Sequence, residues 1–460
     1  MDPYKMKVVN SSKLPAFIDA KITRLEGKYS FKPHIGKLPN GDIVMFVAHA
    51  HAEERITTHT AKNSPRAMTS HVVVYKSTDG GKTWGWGRHV REMVGGHEPS
   101  VSVIDGVIFV LAHFQGDGGY PDSFAERLYP YSMLFKSDDS GETFSRLYID
   151  RQFTKISKDE RLYVGRNVIK LSDGRLFFGI CAGSRHLGAY SDNQGKSWTV
   201  FEVSVKGCRY DGKARSFFTE AVYFHTNSGR LMMLSRVDFN YVVFDNPLPY
   251  DPKYGYKTHL DNFDGEILFE SRDNGLTWEP LRAVGFPSMM YPSIVNIDDN
   301  RMLFTYTVRE IPPEGTGCIH PKVGVQAIII EEISDGSVEF NISGDVIIID
   351  DCTPASMRNA GCYGNTIMLD DGTFLTPFSY PLIDDDILEL ADRKEYMKQE
   401  VFDYWADMQD TYTYRYKDFI NDDPKLTELY LRRAFSAMFL YGHCANKGGI
   451  ATAVVKWKLD

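Results

Sequence analysis

The chain carries STDGGKTW from Ser77 to Trp84, and three further stretches repeat its pattern. They are SDDSGETF from Ser137 to Phe144, SDNQGKSW from Ser191 to Trp198 and SRDNGLTW from Ser271 to Trp278. The shared form is S-x-[DN]-x-G-x-[ST]-[WF]. SDGSVEF, from Ser334 to Phe340, is a partial fifth copy. The copies follow apolar stretches such as Val72–Tyr75 and Ser132–Phe135. These residue types describe a tight turn between two strands. The Asp or Asn accepts from N–H groups of its own turn, Gly takes the positive φ, the hydroxyls bond locally and the aromatic packs beneath. Starts at 77, 137, 191 and 271 lie 60, 54 and 80 residues apart. Strand-turn-strand repeats of that size indicate the blades of a β-propeller. GKT at 81–83 and GKS at 195–197 are not phosphate loops, because Lys76 and Tyr190 stand where such a loop needs its first Gly.

A second repeated unit precedes each corner: a strand, a short turn and a returning strand. The copies are His34–Phe46 around Pro39-Asn40-Gly41, Ser100–Ala112 around Asp105-Gly106, and Asn167–Cys181 around Asp173-Gly174. Ala221–Ser235 turns at Ser228-Gly229, Ser293–Val308 at Asp299-Asn300, and Gly364–Tyr380 at Asp371-Gly372. Six inner hairpins predict an all-β, six-bladed propeller forming a single domain over residues 1–460. The last blade is expected to end with strands near Phe435–Gly442 and Ile450–Leu459.

Composition agrees. The chain has 460 residues, 43% hydrophobic and 25% charged, enough for a large core. Aromatics reach 13%, which suits strands. The net charge of −9, without a basic run, argues against nucleic acid as a partner. No 18-residue apolar run and no apolar leader is visible, so no membrane span is expected. The location read from this is cytoplasmic, or secreted if a leader has been removed. The six Cys are scattered without a CxxC and read as free thiols.

Strand direction alternates within a blade, so the inner turns and the Ser-Asp-Gly-Trp corners share one face. The long connections leave from the other: His49–Ser70, His113–Pro130, Arg236–Gly265, Arg309–Lys322 and Pro381–Arg432. Long loops on a rigid scaffold are where function usually sits. Residues 383–432 read as a helical insertion in the sixth blade. Ile387, Leu388, Leu390 and Ala391 begin it, and Met397, Val401, Tyr404, Trp405 and Met408 continue near helical spacing. It is expected to act as a lid or specificity element, or else as a packed insertion or dimer contact.

Inner strands converge on the axis. Counting eight residues back from the residue before each turn Gly, or before Asn300, reaches Lys32, His97, Gly165, Glu220, Tyr291 and Tyr363. Arg166 follows Gly165, Glu98 follows His97, and His34 is near Lys32. A packing role alone would place small or apolar residues there. Lys, His, Glu and Tyr at one structural position point to a site.

The corners and this ring resemble the sialidase (neuraminidase) superfamily, whose corner motif is the Asp box, across nearly the whole chain. TEAVY, around Glu220, followed by GRLMMLSR ending at Arg236, resembles that family's Glu strand and a triad Arg. CYGNTIMLDDG, containing Tyr363, resembles the segment that begins with its nucleophilic Tyr, and Arg309 resembles the third triad Arg. The resemblance implies that Glu220 takes the proton of the Tyr363 hydroxyl as it attacks an anomeric carbon. A phenol with pKa about 10 needs such a base. Two positions depart. The family's first triad Arg belongs to a [YF]-R-I-P motif, and here SFKP, ending at Pro33, has Lys32 instead. The loop holding the family's acid/base Asp contains no Asp here and offers Glu53, Glu54, His49, His51 and His59. A Lys lacks the bidentate fork of Arg. The expectation is therefore an exo-glycoside hydrolase for a terminal acidic sugar other than ordinary sialic acid. Tyr363 and Glu220 are its reactive pair, and Glu53, Glu54 or His97 is the proton donor. Arg166, Arg236, Arg309, Lys32, His34 and Tyr291 contact the substrate. A lyase pairing His97 with Tyr291 or Tyr363 on a uronate, and a non-catalytic sugar-binding propeller, are the alternatives. No cofactor is expected. His49-Ala50-His51 could place two rings on one face, with His34, His97 and His113 near, but surface or core histidines account for them better than a metal does.

Overall fold

The computed structural model describes residues 1–25, 30–50, 70–94, 96–114, 131–149, 162–182, 185–210, 218–237, 242–246, 248, 265–285, 288–311, 319–353, 363–382, 398, 431 and 450–459. Their architecture is all-β. Antiparallel units, most of four strands, can be traced among them. The first runs Ser30–Lys37, Ile43–Ala50, Ser70–Ser77, Arg88–Val94, and the second Gly96–Ile104, Val107–Phe114, Tyr131–Ser137, Ser145–Ile149. The third begins with Leu162–Val164 and Ile169–Lys170 and continues Leu176–Ala182, Arg185–Ser191, Thr199–Val205. Phe218–His225, Leu231–Val237, Gly265–Ser271 and Thr277–Val284 form the fourth, and Met289–Asn296, Arg301–Val308, Gly324–Glu332 and Val346–Ile348 the fifth.

The sixth draws on both ends of the chain. Ile367–Met368, Phe374–Pro381 and Ile450–Trp457 are its first three strands, and Phe17–Arg24 pairs with Ile450–Trp457 as the fourth. Asp2–Val9 then bridges Phe17–Arg24 to Val346–Ile348, which joins the outer edges of the fifth and sixth units. A short parallel pairing of Thr199–Val205 with Thr277–Val284 joins the third and fourth. The strand expected near 435–442, and the insertion at 383–432 apart from Lys398 and Leu431, lie outside the described residues.

The strands read as nearly continuous apolar runs, such as IVMFVA at 43–48, because both faces of each sheet are buried. Phe46 points into a core shared with Val101, Val110 and Phe135 of the second unit, whereas Met45 and Val47 pack on Leu375 and Val454 of the sixth. Further apolar layers separate the second and third, third and fourth, fourth and fifth, and fifth and sixth units. Cys181, Cys208 and Cys352 are free thiols; the other three lie outside the described residues.

The four octapeptide corners share one hydrogen-bond net. At Asp139, Ser137 Oγ donates to Oδ1 (2.7 Å), the Thr143 N–H donates to Oδ1 (2.9 Å) and Thr143 Oγ1 donates to Oδ2 (2.5 Å). The N–H of Gly141, whose φ is 90°, donates to Ser137 Oγ. Asp79 and Asp273 repeat this arrangement, and Asn193 repeats it with Ser197 as the hydroxyl partner. The hydroxyl and N–H of Thr143 hold the Asp139 carboxyl down at about 2. Asp139→Ala strips this corner of its acceptor and is expected to lower stability by about 1–2 kcal/mol. Asp139→Asn, the residue the third corner already uses, should cost less, and urea unfolding of the two variants measures the difference.

Candidate active site

Register places the site. Lys37 pairs with Ile43 and Ile43 with Ser77, so the inner turn and the corner sit at one end of the first unit. Lys32 lies toward the other end. There the inner strand is bulged: Phe31 pairs with Ala48 and His34 with Phe46, leaving Lys32 and Pro33 against Val47. Equivalent shifts occur between His97 and Ser100, between Thr219 and Val222, and between Met290 and Ser293. The first bulged residue is left-handed each time, with φ of 54° at Lys32, 54° at Glu98, 53° at Glu220 and 55° at Tyr291. Such a backbone costs a non-glycine residue about 1–2 kcal/mol. A bulge re-aims its side chain and recurs next to active sites. In the sixth unit Gly364 follows Tyr363, and a Cβ there would lie 1.8 Å from the Pro377 carbonyl oxygen, so only Gly allows this strand so close.

The re-aimed side chains meet. Lys32 Nζ pairs with Glu98 Oε1. Arg166 bridges Glu98 Oε2 (3.1 Å) and Glu220 Oε1 (2.8 Å), and Arg236 NH1 holds Glu220 Oε2 at 3.0 Å. Arg236 reaches Glu220 because its strand pairs it with Thr219. Arg166 Cζ lies 4.0 Å from the centre of the Tyr291 ring, and that ring meets Tyr363 edge to face. Lys32 Nζ and Arg309 Cζ stand 4.4 and 5.9 Å from the Tyr363 ring centre. Lys32, Arg166, Glu220, Arg236, Tyr291 and Tyr363 are between 5% and 8% exposed. A cavity of about 20 Å3 among Lys32, His34, Arg166, Tyr291 and Tyr363 has room for a water molecule but not for a sugar ring.

Burial alone would push the Glu220 carboxyl up. The guanidiniums of Arg236 and Arg166, with the hydrogen bond from Arg236, outweigh burial and hold it down at about 2. Burial and the charge of Arg166 lower His34 to about 3, and its Nδ1 accepts the Val101 N–H at 3.0 Å. The proton of this neutral ring is therefore on Nε2. His113, hydrogen-bonded to Ser132, is lowered to about 3 by burial and Arg166.

Lys32, His34, Arg166, Glu220, Arg236, Tyr291, Arg309 and Tyr363 are thus brought into one cluster. Glu53 and Glu54 lie outside the described residues, as does the His97 side chain, although its backbone pairs with His113. The second unit's equivalent of Lys32 is Glu98. Counting from the turn Gly lands on His97 because the Asp105-Gly106 turn is one residue shorter than the Pro39–Gly41 turn. The signal for Glu98 was the repeated dipeptide Lys32-Pro33, Glu98-Pro99, Tyr291-Pro292. His49 stacks with His71 and His89 instead of joining His34 or His113, and no metal-ligating group of three is found among the described residues.

No protein-family model and no curated protein matches the chain. Solved structures do. A protein of unknown function from Dyadobacter fermentans matches with a TM-score of 0.54 at 18% identity, over 82% of this chain and 94% of its own. The NanB sialidase of Streptococcus pneumoniae matches at 0.51 and 13% identity over 76% of this chain, and a leech intramolecular trans-sialidase at 0.50 and 15% over 77%. The matches span 65% of each of those two longer chains. The likeness is one of fold: this is a sialidase-like all-β protein.

The neutral buried histidines make stability pH-dependent. A His whose folded pKa is lowered stays unprotonated while the unfolded chain takes up a proton, so stability falls as pH drops below about 6.5 and levels near the folded value. For His34 and His113 that window runs down to about 3, and for His186, lowered by burial, to about 4. Glu220, lowered, adds a loss as pH falls from its ordinary range toward about 2. Melting temperature is therefore expected to decline from pH 6.5 downward, each histidine contributing up to about 1.4 kcal/mol per pH unit. His34→Asn should flatten the upper part of that decline, measured by thermal melts at pH 4 to 7.

Proposed function

We propose that the chain is a six-bladed propeller of one domain, with a helical insertion at 383–432, that hydrolyses a terminal acidic sugar from a glycan. The observation that carries this reading is that Glu220 and Arg236 from the fourth unit, Arg309 from the end of the fifth and Tyr363 from the start of the sixth are joined by contacts through Arg166 and the Tyr291 ring. Lys32, Arg166, Arg236 and Arg309 face two carboxylates, Glu98 and Glu220, with His34 and His113 neutral. Four cations gathered in a largely buried cluster favour an anionic ligand. Lys32 lacks the bidentate fork of a guanidinium, so a substrate carboxylate falls to the arginines.

Tyr363 attacks the anomeric carbon and Glu220 is the base. The leaving oxygen takes its proton from an acid for which Glu53, Glu54 and His97 are the candidates. A base held at about 2 is weak. A substrate carboxylate that shares Arg166 and Arg236 loosens their hold on Glu220 and raises its proton affinity when a base is needed. The sugar ring, too large for the cavity between the inner strands, lies over the cluster on the side away from the corners. No cofactor is required for this chemistry.

Incubation with 4-methylumbelliferyl glycosides of glucuronic, galacturonic, iduronic and N-acetylneuraminic acids should release fluorophore from at least one. Tyr363→Phe is expected to lower kcat about a thousand-fold or more. Full activity in that variant would sink the assignment. An unsaturated product absorbing in the near ultraviolet would show a lyase instead, and binding without turnover a sugar-binding protein.

A further inference from the structure

A single nitrogen serves two carboxylates. Arg166 NH2 donates to Glu220 Oε1 at 2.8 Å and to Glu98 Oε2 at 3.1 Å. The second oxygen of Glu220 accepts from Arg236 NH1 at 3.0 Å, and the second oxygen of Glu98 pairs with Lys32 Nζ. Both acids are left-handed bulge residues, φ 54° at Glu98 and 53° at Glu220, on the inner strands of the second and fourth units. The backbone thus aims two carboxylates at one guanidinium of the third unit. The Tyr291 ring, its centre 4.0 Å from Arg166 Cζ, keeps that guanidinium in place between them.

Two acceptors on one nitrogen divide its hydrogen bonding. Two carboxylates within about 4–6 Å also oppose each other's ionisation. Both effects let Glu220 take a proton more readily than Arg166 and Arg236 alone would allow. Lys32 works the other way, because it draws on Glu98 and adds a positive charge to the cluster. The other titratable groups near Glu220 are uncharged: His113 is a neutral imidazole, and burial keeps Tyr291 a phenol. Arg309 stands by the Tyr363 ring.

We propose that Glu98 is a positioning residue for the hydrolysis proposed above: it shares the Arg166 nitrogen, limits that guanidinium's hold on Glu220 and so keeps Glu220 able to take the proton that Tyr363 gives up. The inference rests on that reading. Glu98 acts through Arg166 and not on the reacting atoms, and Lys32 sets how strongly it does so.

Glu98→Gln and Lys32→Met each keep the reach of the side chain and remove its charge. On the umbelliferyl glycoside that the wild type turns over, the acid limb of the kcat profile against pH reports the base in the bound complex. In Glu98→Gln that limb should move down by about half a pH unit or more, with kcat on the plateau falling about tenfold. In Lys32→Met it should move up. Melting temperatures show whether each variant folds, and Lys32→Met carries the test alone should Glu98→Gln not fold. Loss of a merely structural pair would leave the limb in place. An unmoved limb, or one that moves the same way in both variants, overturns the role of Glu98 and leaves the hydrolase reading standing. Absence of wild-type turnover on every acidic glycoside of the panel removes the hydrolase reading and this inference together.

Discussion

The site depends on a two-against-one bulge near the start of the inner strand. A regular strand would send Lys32, Glu98, Glu220 and Tyr291 to a sheet face, where the apolar layers between units lie. The extra residue and its left-handed backbone turn those side chains into the space where the inner strands meet. Backbone groups of the inner strands that face away from their own sheet are taken up by neighbouring units. His34 accepts from Val101, Ser102 from Val168, Asn167 from Tyr223, Ser293 from Thr366, and Asn365 both accepts from and donates to Ile35. Distortion in one unit is thus stitched to the next, and strain that a single sheet would relax is held by its neighbours.

The charges follow the same logic. Lys32, Glu98, Arg166, Glu220 and Arg236 alternate in sign along a continuous chain of contacts that crosses four units. Buried ions are costly unless paired and hydrogen-bonded, so each is fixed in place by those on either side. Arg166 is the hinge of the set, since it serves two carboxylates and covers an aromatic ring, geometry that suits a planar guanidinium and not an ammonium.

Features that repeat locally were legible in the sequence. The corners at Asp79, Asp139, Asn193 and Asp273 and the inner hairpins are short-range constructions, each written in adjacent residues. Glu220, Arg236, Arg309 and Tyr363 were found through resemblance, and Lys32, Arg166 and Tyr291 through their place before the inner hairpin. Glu98 escaped because a count along the chain assumes turns of equal length, and a two-residue turn shifts the frame by one. The bridge from Arg166 to Glu220 was not legible, because it joins two units and no spacing along the chain encodes it. The same is true of Phe17–Arg24, whose alternating, half-exposed pattern reads only as an edge strand and does not name its neighbour.

That strand ties the order of synthesis to the architecture. Residues 17–24 emerge from the ribosome well before residues 450–457, with which they pair. During translation the growing chain holds that edge of residues 17–24 unpaired until the intervening units have been made. Such an edge invites association with other chains, a liability that chaperones or rapid late docking must cover. Once docked, these two strands share one sheet although they lie far apart in the sequence, so releasing either first requires peeling that sheet apart.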